Sequence, residues 1–298
     1  MDPQQIVVVR RFNRLVTQRA GALDERFLGR GRPLGQSRVL WEIGRDGADL
    51  RDVRARLGLD SGYLSRLIQA LEAEGLIRVE PSPDDERVRQ ALPTAAGLEE
   101  IGEMDRRSDA GAEQVLGPLS ATQRRRLVDA MDEVRRLLLA AAVRVEPADP
   151  GGRDARWCLE QYYAELARRF EAGFDPDSSL HARPEDFSPP RGSFLVATVD
   201  GQPVACGGLT LVQSGVALIK RMWASDDLRG LGLGKRMLRA LEDEARRLGA
   251  RVLRLETNRS LSEAIALYRA AGFREVASFN DDPYADHWFE KMLEGSRG

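Results

Sequence analysis

The run Arg229-Gly230-Leu231-Gly232-Leu233-Gly234-Lys235 sets three glycines at alternate positions. With no Cβ, each lets the backbone pass close to a ligand. The sequence after it predicts an amphipathic helix to about residue 248, whose free N–H groups and positive dipole end face the same place. Loop and helix together make a cradle for an anion, and a pyrophosphate suits it. Spacing excludes two other phosphate loops. A P-loop requires Gly-x-x-x-x-Gly-Lys-Ser/Thr, but Arg229 and Arg236 stand where its first glycine and its hydroxyl residue belong. A dinucleotide fingerprint requires Gly-x-Gly-x-x-Gly, and here the third glycine falls one residue early.

A second constellation occupies residues 50–80, LRDVRARLGLDSGYLSRLIQALEAEGLIRVE. It predicts a short helix, a tight turn at Gly58, and a second helix capped by Asp60 or Ser61. Leu64, Leu67, Ile68 and Leu71 form the apolar stripe of that helix. Ser61, Tyr63, Ser65, Arg66 and Gln69 are left facing outward, where they can reach base edges and phosphates in a major groove. Gly75 ends the helix, and a hairpin comes next that carries Asp85, Arg87 and Arg89 near its turn at residues 81–86. An arginine projecting from such a hairpin suits the negative potential of a narrow minor groove. Asp85 is placed to orient Arg87.

These residues need elements to hold them. The chain has 298 residues, enough for about two domains. In the first half, apolar spacing predicts helices over 5–27, 34–45, 50–57, 62–74, 94–116 and 120–143, with strands over 76–80 and 87–92. The stretch 145–155, VEPADPGGRDA, has two prolines, two glycines and no periodicity, and reads as a linker. Beyond it, strands are expected over 194–199, 204–211, 217–224 and 252–257, and a helix over 261–271. The expected domains are therefore 1–144 and 156–298, joined by 145–155.

Composition narrows the class. Hydrophobic residues are 42% and charged residues 31%, as in ordinary globular chains. No apolar run approaches the roughly 20 residues a bilayer demands. The opening MDPQQIVVVRRF has its acid before the apolar stretch and its bases after it, the wrong order for a secretory signal. Cys158 and Cys206 read as buried apolar side chains, since two cysteines make a poor disulfide framework. The expected compartment is the cytoplasm. A net charge of −2 gives no general pull toward nucleic acid, so a DNA contact must come from a local basic surface. The only lysines are Lys220, Lys235 and Lys291, so a single arginine is weak testimony for anion recognition.

The ordered set of short helix, turn, capped helix, EGLI and acidic-basic hairpin resembles the MarR family over about residues 5–143. The wing Asp85-Glu86-Arg87 and the run Leu92-Pro93-Thr94-Ala95-Ala96-Gly97 carry that likeness. Pro93 departs from the family pattern, at a place where a helix is expected to begin. The resemblance implies a winged helix-turn-helix fold, mainly α. It also implies a homodimer built from the first and last helices, with two recognition helices about 34 Å apart on double-stranded DNA.

The motif Arg229-x-x-Gly232-x-Gly234 is similar to the acyl-CoA loop of the GNAT superfamily. The likeness covers about residues 155–293 and includes Asn258 and the segment Ala266-Leu267-Tyr268-Arg269-Ala270-Ala271-Gly272-Phe273. It implies an α/β fold with a mixed, mostly antiparallel sheet, and acetyl-CoA as cosubstrate with no metal. Backbone groups of Met222, Trp223 and Ala224 would pair with the pantetheine arm. Arg229, Gly230, Leu231, Gly232, Leu233, Gly234 and Lys235 would form the pyrophosphate loop. Asn258 would bond the pantetheine or a water beside it, and Tyr268 would protonate the departing thiolate. An amine acceptor would attack the thioester directly.

The base is left open. Glu256 shares a strand face with Arg254 and is a candidate base, an anchor for a cationic acceptor, or only the partner of Arg254. His287, beside Trp288, reads as structural. His181 lies in a polar, proline-bearing loop that reads as a lid. Two functions compete: a regulator joined to an active N-acetyltransferase, and a regulator whose second domain only senses an acyl-CoA or metabolite. Tyr268 favours chemistry, because a sensor needs no proton donor. The lack of an obvious base keeps the sensor open.

Overall fold

The computed structural model describes residues 2–19, 27–29, 31–82, 88–171, 173–176 and 183–293. The chain divides into two compact units, Met1–Asp129 and Ala130–Gly298.

The first unit opens with α1 (Pro3–Arg19), which has no buried residue. Next come α2 (Leu34–Ile43), β1 (Ala48–Asp49), α3 (Leu50–Leu57), α4 (Ser61–Ala73), β2 (Ile77–Pro81), β3 (Arg89–Pro93) and α5 (Ala95–Leu116). The core is made where α2 brings Val39, Leu40 and Ile43 against Val53 of α3 and Leu64, Leu67, Ile68 and Leu71 of α4. Each such side chain contributes about 1.5–3 kcal/mol on leaving water. Gly58, in the left-handed region at φ 61°, closes α3. Asp60 caps α4, its Oδ1 accepting from the Tyr63 amide at 2.8 Å. A cap of this kind adds about 1 kcal/mol.

Two details depart from the sequence reading. The sheet has a third strand, in the order β1-β3-β2, because the two residues of β1 pair with Gln90 and Ala91. Pro93 ends β3 instead of opening a helix. Thr94 is the cap of α5, accepting from the Gly97 amide at 3.1 Å.

The division between the units falls within α6 (Ala121–Ala142). The second unit continues with β4 (Arg144–Pro147), α7 (Arg153–Arg169), β5 (Gly192–Val199), β6 (Gln202–Gln213), β7 (Val216–Ala224), α8 (Leu233–Arg247), β8 (Val252–Thr257), α9 (Ser262–Ala270), β9 (Arg274–Val276) and β10 (His287–Met292). Seven strands lie in the order β4-β5-β6-β7-β8-β10-β9. Every pairing among them is antiparallel except β7 with β8. Part of the expected linker is thus an edge strand. Val145 packs on the core, and Pro147 is tolerated because an edge position needs no ladder donor there.

Period-two alternation covers both faces of the sheet. Leu195, Ala197 and Val199 of β5 join Met237, Leu238 and Leu241 of α8 in one core. Phe194 and Val196 join Cys158 of α7 and Cys206 in the other. Both cysteines are free and buried. Among the described residues, no helix is long and apolar enough to cross a membrane.

Candidate functional site

The parallel pair β7 and β8 hydrogen-bonds only at Val216↔Val252, Ala217↔Leu253 and Leu218↔Arg254. Beyond Leu218 the two strands diverge and open a cleft. β7 also carries a bulge there. Gly208 faces Lys220 and Cys206 faces Trp223, so β7 has one residue more than β6, and Arg221 takes up the excess at φ 56°. A bulge bends its strand and re-aims the residues beyond it. Trp223 and Ala224 therefore keep their ladder to β6, Met222 lies at the bulge, and no described strand pairs with the other edge of these three residues.

Two cavities open from this cleft. One is a groove of about 390 Å³ lined by Met222, Trp223, Ala224, Arg229, Gly230, Gly232, Leu233, Gly234 and Lys235, together with α7 and α9. The other, of about 120 Å³, is lined by Glu256, Asn258, Lys220, Asp282 and a set of aromatic rings. They share Tyr162, Leu166, Met222, Leu261, Ala264 and Tyr268.

The glycines of the loop have separate reasons. Gly230 and Gly232 sit at φ 82° and 80°, a region other residues enter only at a cost. Gly234 is needed for closeness, since a Cβ there would lie 3.2 Å from Leu267 Cδ2. Gly232 is also the N-cap of α8, and among the described residues no side chain caps that end. Uncapped amides with an aligned dipole suit an anion. The Arg229 side chain turns to Glu165 Oε1 at 3.0 Å and to Asp226. Leu231 is partly buried against the core and does not line the groove. Lys235 is exposed at the groove.

Tyr268 stands where the cavities meet, 6% exposed. Its hydroxyl donates to Met222 Sδ at 4.0 Å. Burial, with a smaller push from Glu256, holds this phenol above the usual tyrosine range. Tyr162 is raised in the same way, by burial first and then by Tyr268. Both phenols therefore stay protonated at ordinary pH.

The Glu256 side chain is 7% exposed, and its Oε1 takes a hydrogen bond from Lys220 Nζ. Its Oε2 is buried and has no hydrogen-bond partner among the described residues. Asp282 lies 3.7 Å from the same ammonium. Burial raises the Glu256 carboxyl above its ordinary value, with Lys220 as the largest opposing influence. Arg254 is not its partner. That guanidinium donates to Glu290 Oε2 at 2.7 Å, because Glu290 is directly opposite in the β8–β10 ladder. Asn258 lines the smaller cavity, where its Nδ2 donates to the Tyr284 carbonyl at 2.8 Å and its Oδ1 accepts from the Ser260 amide. His287 Nδ1 lies 2.6 Å from Glu275 Oε1 and lines neither cavity. His181 lies outside the described residues.

Sequence reasoning missed the whole of α7 and with it Tyr162, Tyr163 and Glu165, and it missed Phe170, Phe174, Lys220, Asp282 and Tyr284. One signal was present. Tyr162, Tyr163, Phe170 and Phe174 crowd together in a chain that is only 6% aromatic.

In the first unit, α4 buries Leu64, Leu67, Ile68 and Leu71 and exposes Ser61, Tyr63, Ser65, Arg66 and Gln69. The Arg66 guanidinium lies 5.7 Å from the centre of the Tyr63 ring. Arg89 is exposed on β3 and donates to the Val79 carbonyl at 3.3 Å. Asp85 and Arg87 lie outside the described residues.

A mixed sheet splayed at its parallel pair, with a glycine loop leading into a helix beside the opening, defines a GNAT fold. Residues 159–273 match the model of the acetyltransferase (GNAT) family, and residues 30–88 match that of the MarR family. An IAA acetyltransferase of Azospirillum brasilense is 40% identical over 92 residues, 30% of this chain and 59% of its own length. An uncharacterized N-acetyltransferase of Escherichia coli (strain K12), YjgM, is 30% identical over 122 residues, 40% of this chain and 73% of its own length. Toward the other half, an uncharacterized HTH-type transcriptional regulator of Bacillus subtilis (strain 168), YdgJ, is 26% identical over 84 residues, 28% of this chain and 51% of its own length. The chain belongs to the GNAT acetyltransferase family and carries a MarR family domain ahead of that fold.

Proposed function

We propose that this protein is a DNA-binding transcriptional regulator fused to an acetyl-CoA-dependent N-acetyltransferase. The observation that carries the transferase half is the meeting of two cavities at Tyr268 and Met222. One cavity suits an acyl-CoA and the other an amine, so a thioester and a nucleophile are brought together at a protonated phenol.

The residues divide the work. The amides of residues 231–235 hold the pyrophosphate. Met222, Trp223 and Ala224 offer their free backbone edge to the pantetheine arm, and one of their N–H groups binds the thioester oxygen as charge builds on it. Glu256 takes a proton from the acceptor ammonium, directly or through water. The amine attacks the carbonyl carbon, the C–N bond forms and the C–S bond breaks. Tyr268 gives its proton to the leaving sulfur. The nitrogen sheds its second proton as the tetrahedral intermediate collapses; through water that proton restores Tyr268, and Glu256 releases the one it took to solvent, so one proton is set free per turnover.

The outward face of α4, with Arg89 on the hairpin, supports the DNA-binding half. Two copies are needed to read two half-sites. The apolar face of α1, exposed in the single chain, supports a homodimer through the first unit. Residues 1–144 and 156–298 remain the proposed domains, although the compact division falls earlier and only residues 148–152 of the stretch between them lie outside β4 and α7.

The test uses one preparation for both halves. Free thiol is followed as acetyl-CoA meets a panel of amines, and retention of duplex DNA is measured at rising salt. Amine-dependent thiol release and salt-sensitive retention are expected. Failure of either removes the corresponding half of the proposal.

A further inference from the structure

The smaller cavity has a divided lining. On one side Tyr163 and Phe174 stack with centres 5.8 Å apart and planes at 21°. Phe174 and Tyr284 lie 4.9 Å apart, and Phe170 meets both at 5.7 Å. Tyr284 is fixed from two directions: its hydroxyl accepts from the Asp175 amide at 3.0 Å, and its carbonyl accepts from Asn258. All four rings are only half-buried, so part of their apolar surface is turned to open space. On the other side lies Glu256, whose Oε2 is buried and makes no direct hydrogen bond among the described residues, with Asn280 near enough to favour the charged carboxylate. Asp282 and Lys220 flank it, so this end of the cavity is polar and offers a buried acceptor. Arg221 also borders the cavity, but its guanidinium is stacked 4.9 Å over Phe187, which does not line it.

The volume, about 120 Å³, compares with the ~150 Å³ of an apolar cavity that admits benzene. A single planar ring fits this scale. Ring faces favour other aromatic groups in offset or edge-on contact, and a buried carboxylate oxygen lacking a partner favours a cation that hydrogen-bonds to it. The rings and Glu256 line the smaller cavity, and Tyr268 lines both that cavity and the groove.

We infer that the acceptor is a primary amine carried on a planar aromatic ring. The ring is held among Tyr163, Phe174 and Tyr284, and the amine is delivered to Glu256 Oε2. This rests on the transferase reading for its chemistry, but the ring site is testable by binding alone.

The full chain with CoA present is titrated with phenethylamine, benzylamine, n-hexylamine and putrescine, and thiol release from acetyl-CoA is followed with the same amines. The ring-bearing amines are expected to bind and react at least about tenfold better than n-hexylamine, the scale of one good aromatic contact. Phe174→Leu keeps an apolar though smaller side chain and removes the ring, so the preference should collapse toward unity in that variant while acetyl-CoA still binds. Equal or better binding of n-hexylamine or putrescine would overturn the inference, and turnover of those amines would leave the transferase reading standing. Ring-selective binding without thiol release from any amine would support the ring site and remove the transferase reading. No binding by any of the four amines would overturn the site itself.

Discussion

Among the described residues, the Tyr268 hydroxyl is held only by the Met222 sulfur, at 4.0 Å. A thioether is a weak acceptor, so the phenol keeps a proton that a stronger acceptor can claim. Burial and the neighbouring Glu256 both oppose its ionisation. The pair sits where the two cavities join, and Met222 lies on the strand edge proposed for the pantetheine arm. A thiolate leaving along that edge would come upon the phenol in its protonated form.

The pH profile should be set by Glu256 and not by Tyr268. Burial raises the Glu256 carboxyl, so activity limited by its proton rises with pH along a limb above the ordinary glutamate range. Glu256→Gln should remove that limb and lower the rate by about 10²–10⁴. Lys220→Met takes away the ammonium that favours the charged form, and the limb should move to higher pH. Stability runs the opposite way. The folded carboxyl holds its proton to higher pH than the unfolded one, so this group weakens the fold as pH rises through that window. A kcat/KM profile that keeps its acid limb in Glu256→Gln would assign the base elsewhere.

Gly232→Ala tests the loop. Its φ of 80° is the strained region for alanine, although the added methyl would meet no atom within 4 Å. The cost is therefore backbone strain of about 1–2 kcal/mol, met by shifting the turn that presents the α8 amides. Calorimetric titration should show acetyl-CoA affinity falling about tenfold. Affinity equal to that of the parent would mean that these amides do not carry the pyrophosphate.

Much of the fold could be read from residue order, and the exceptions have physical causes. β8 alternates inward and outward over residues 252–257, and its limits were legible to the residue. α4 was legible as a cap, a stripe and an outward face. α7 was not, since it buries only Ala155, Cys158 and Leu166, a stripe too thin to stand out among its charges. β10 was hidden for a related reason. Glu290 and Lys291 interrupt its apolar pattern, yet both are neutralised across the fold, by Arg254 and by Glu242 at 2.7 Å. The smaller cavity was least legible, because its rings come from α7, the segment after it and the turn before β10, and only tertiary folding brings them to Glu256.

DNA binding should be salt-dependent and lean on α4. Arg66 is exposed and braced near Tyr63. With a duplex selected from a random library, Arg66→Ala should lose about 1–3 kcal/mol if the residue reads a base. The logarithm of affinity should fall linearly with the logarithm of salt concentration. Anisotropy measurements that found no salt dependence would contradict a phosphate-tracking interface.

α1 should be an interface between two copies. It exposes Val8 at 58%, Val9 at 56% and Leu15 at 53%, with Phe12 at 44%. Apolar stripes of this kind are covered in stable proteins. Light scattering should report a dimer, and Phe12→Glu should yield monomers that bind a two-half-site duplex much more weakly. A parent protein that stays monomeric at assay concentrations would be the contrary result.

The most direct measurement is single-turnover thiol release from acetyl-CoA with a reactive amine, comparing the parent with Tyr268→Phe. Tyr268→Phe keeps the ring and its packing and removes only the proton donor. The rate should fall by about 10²–10⁴ while the dissociation constant for acetyl-CoA is unchanged. Equal rates in the two proteins would show that Tyr268 is not the acid. Tight acetyl-CoA binding with no thiol release in either would contradict a transferase and leave an acyl-CoA sensor attached to a DNA-binding domain.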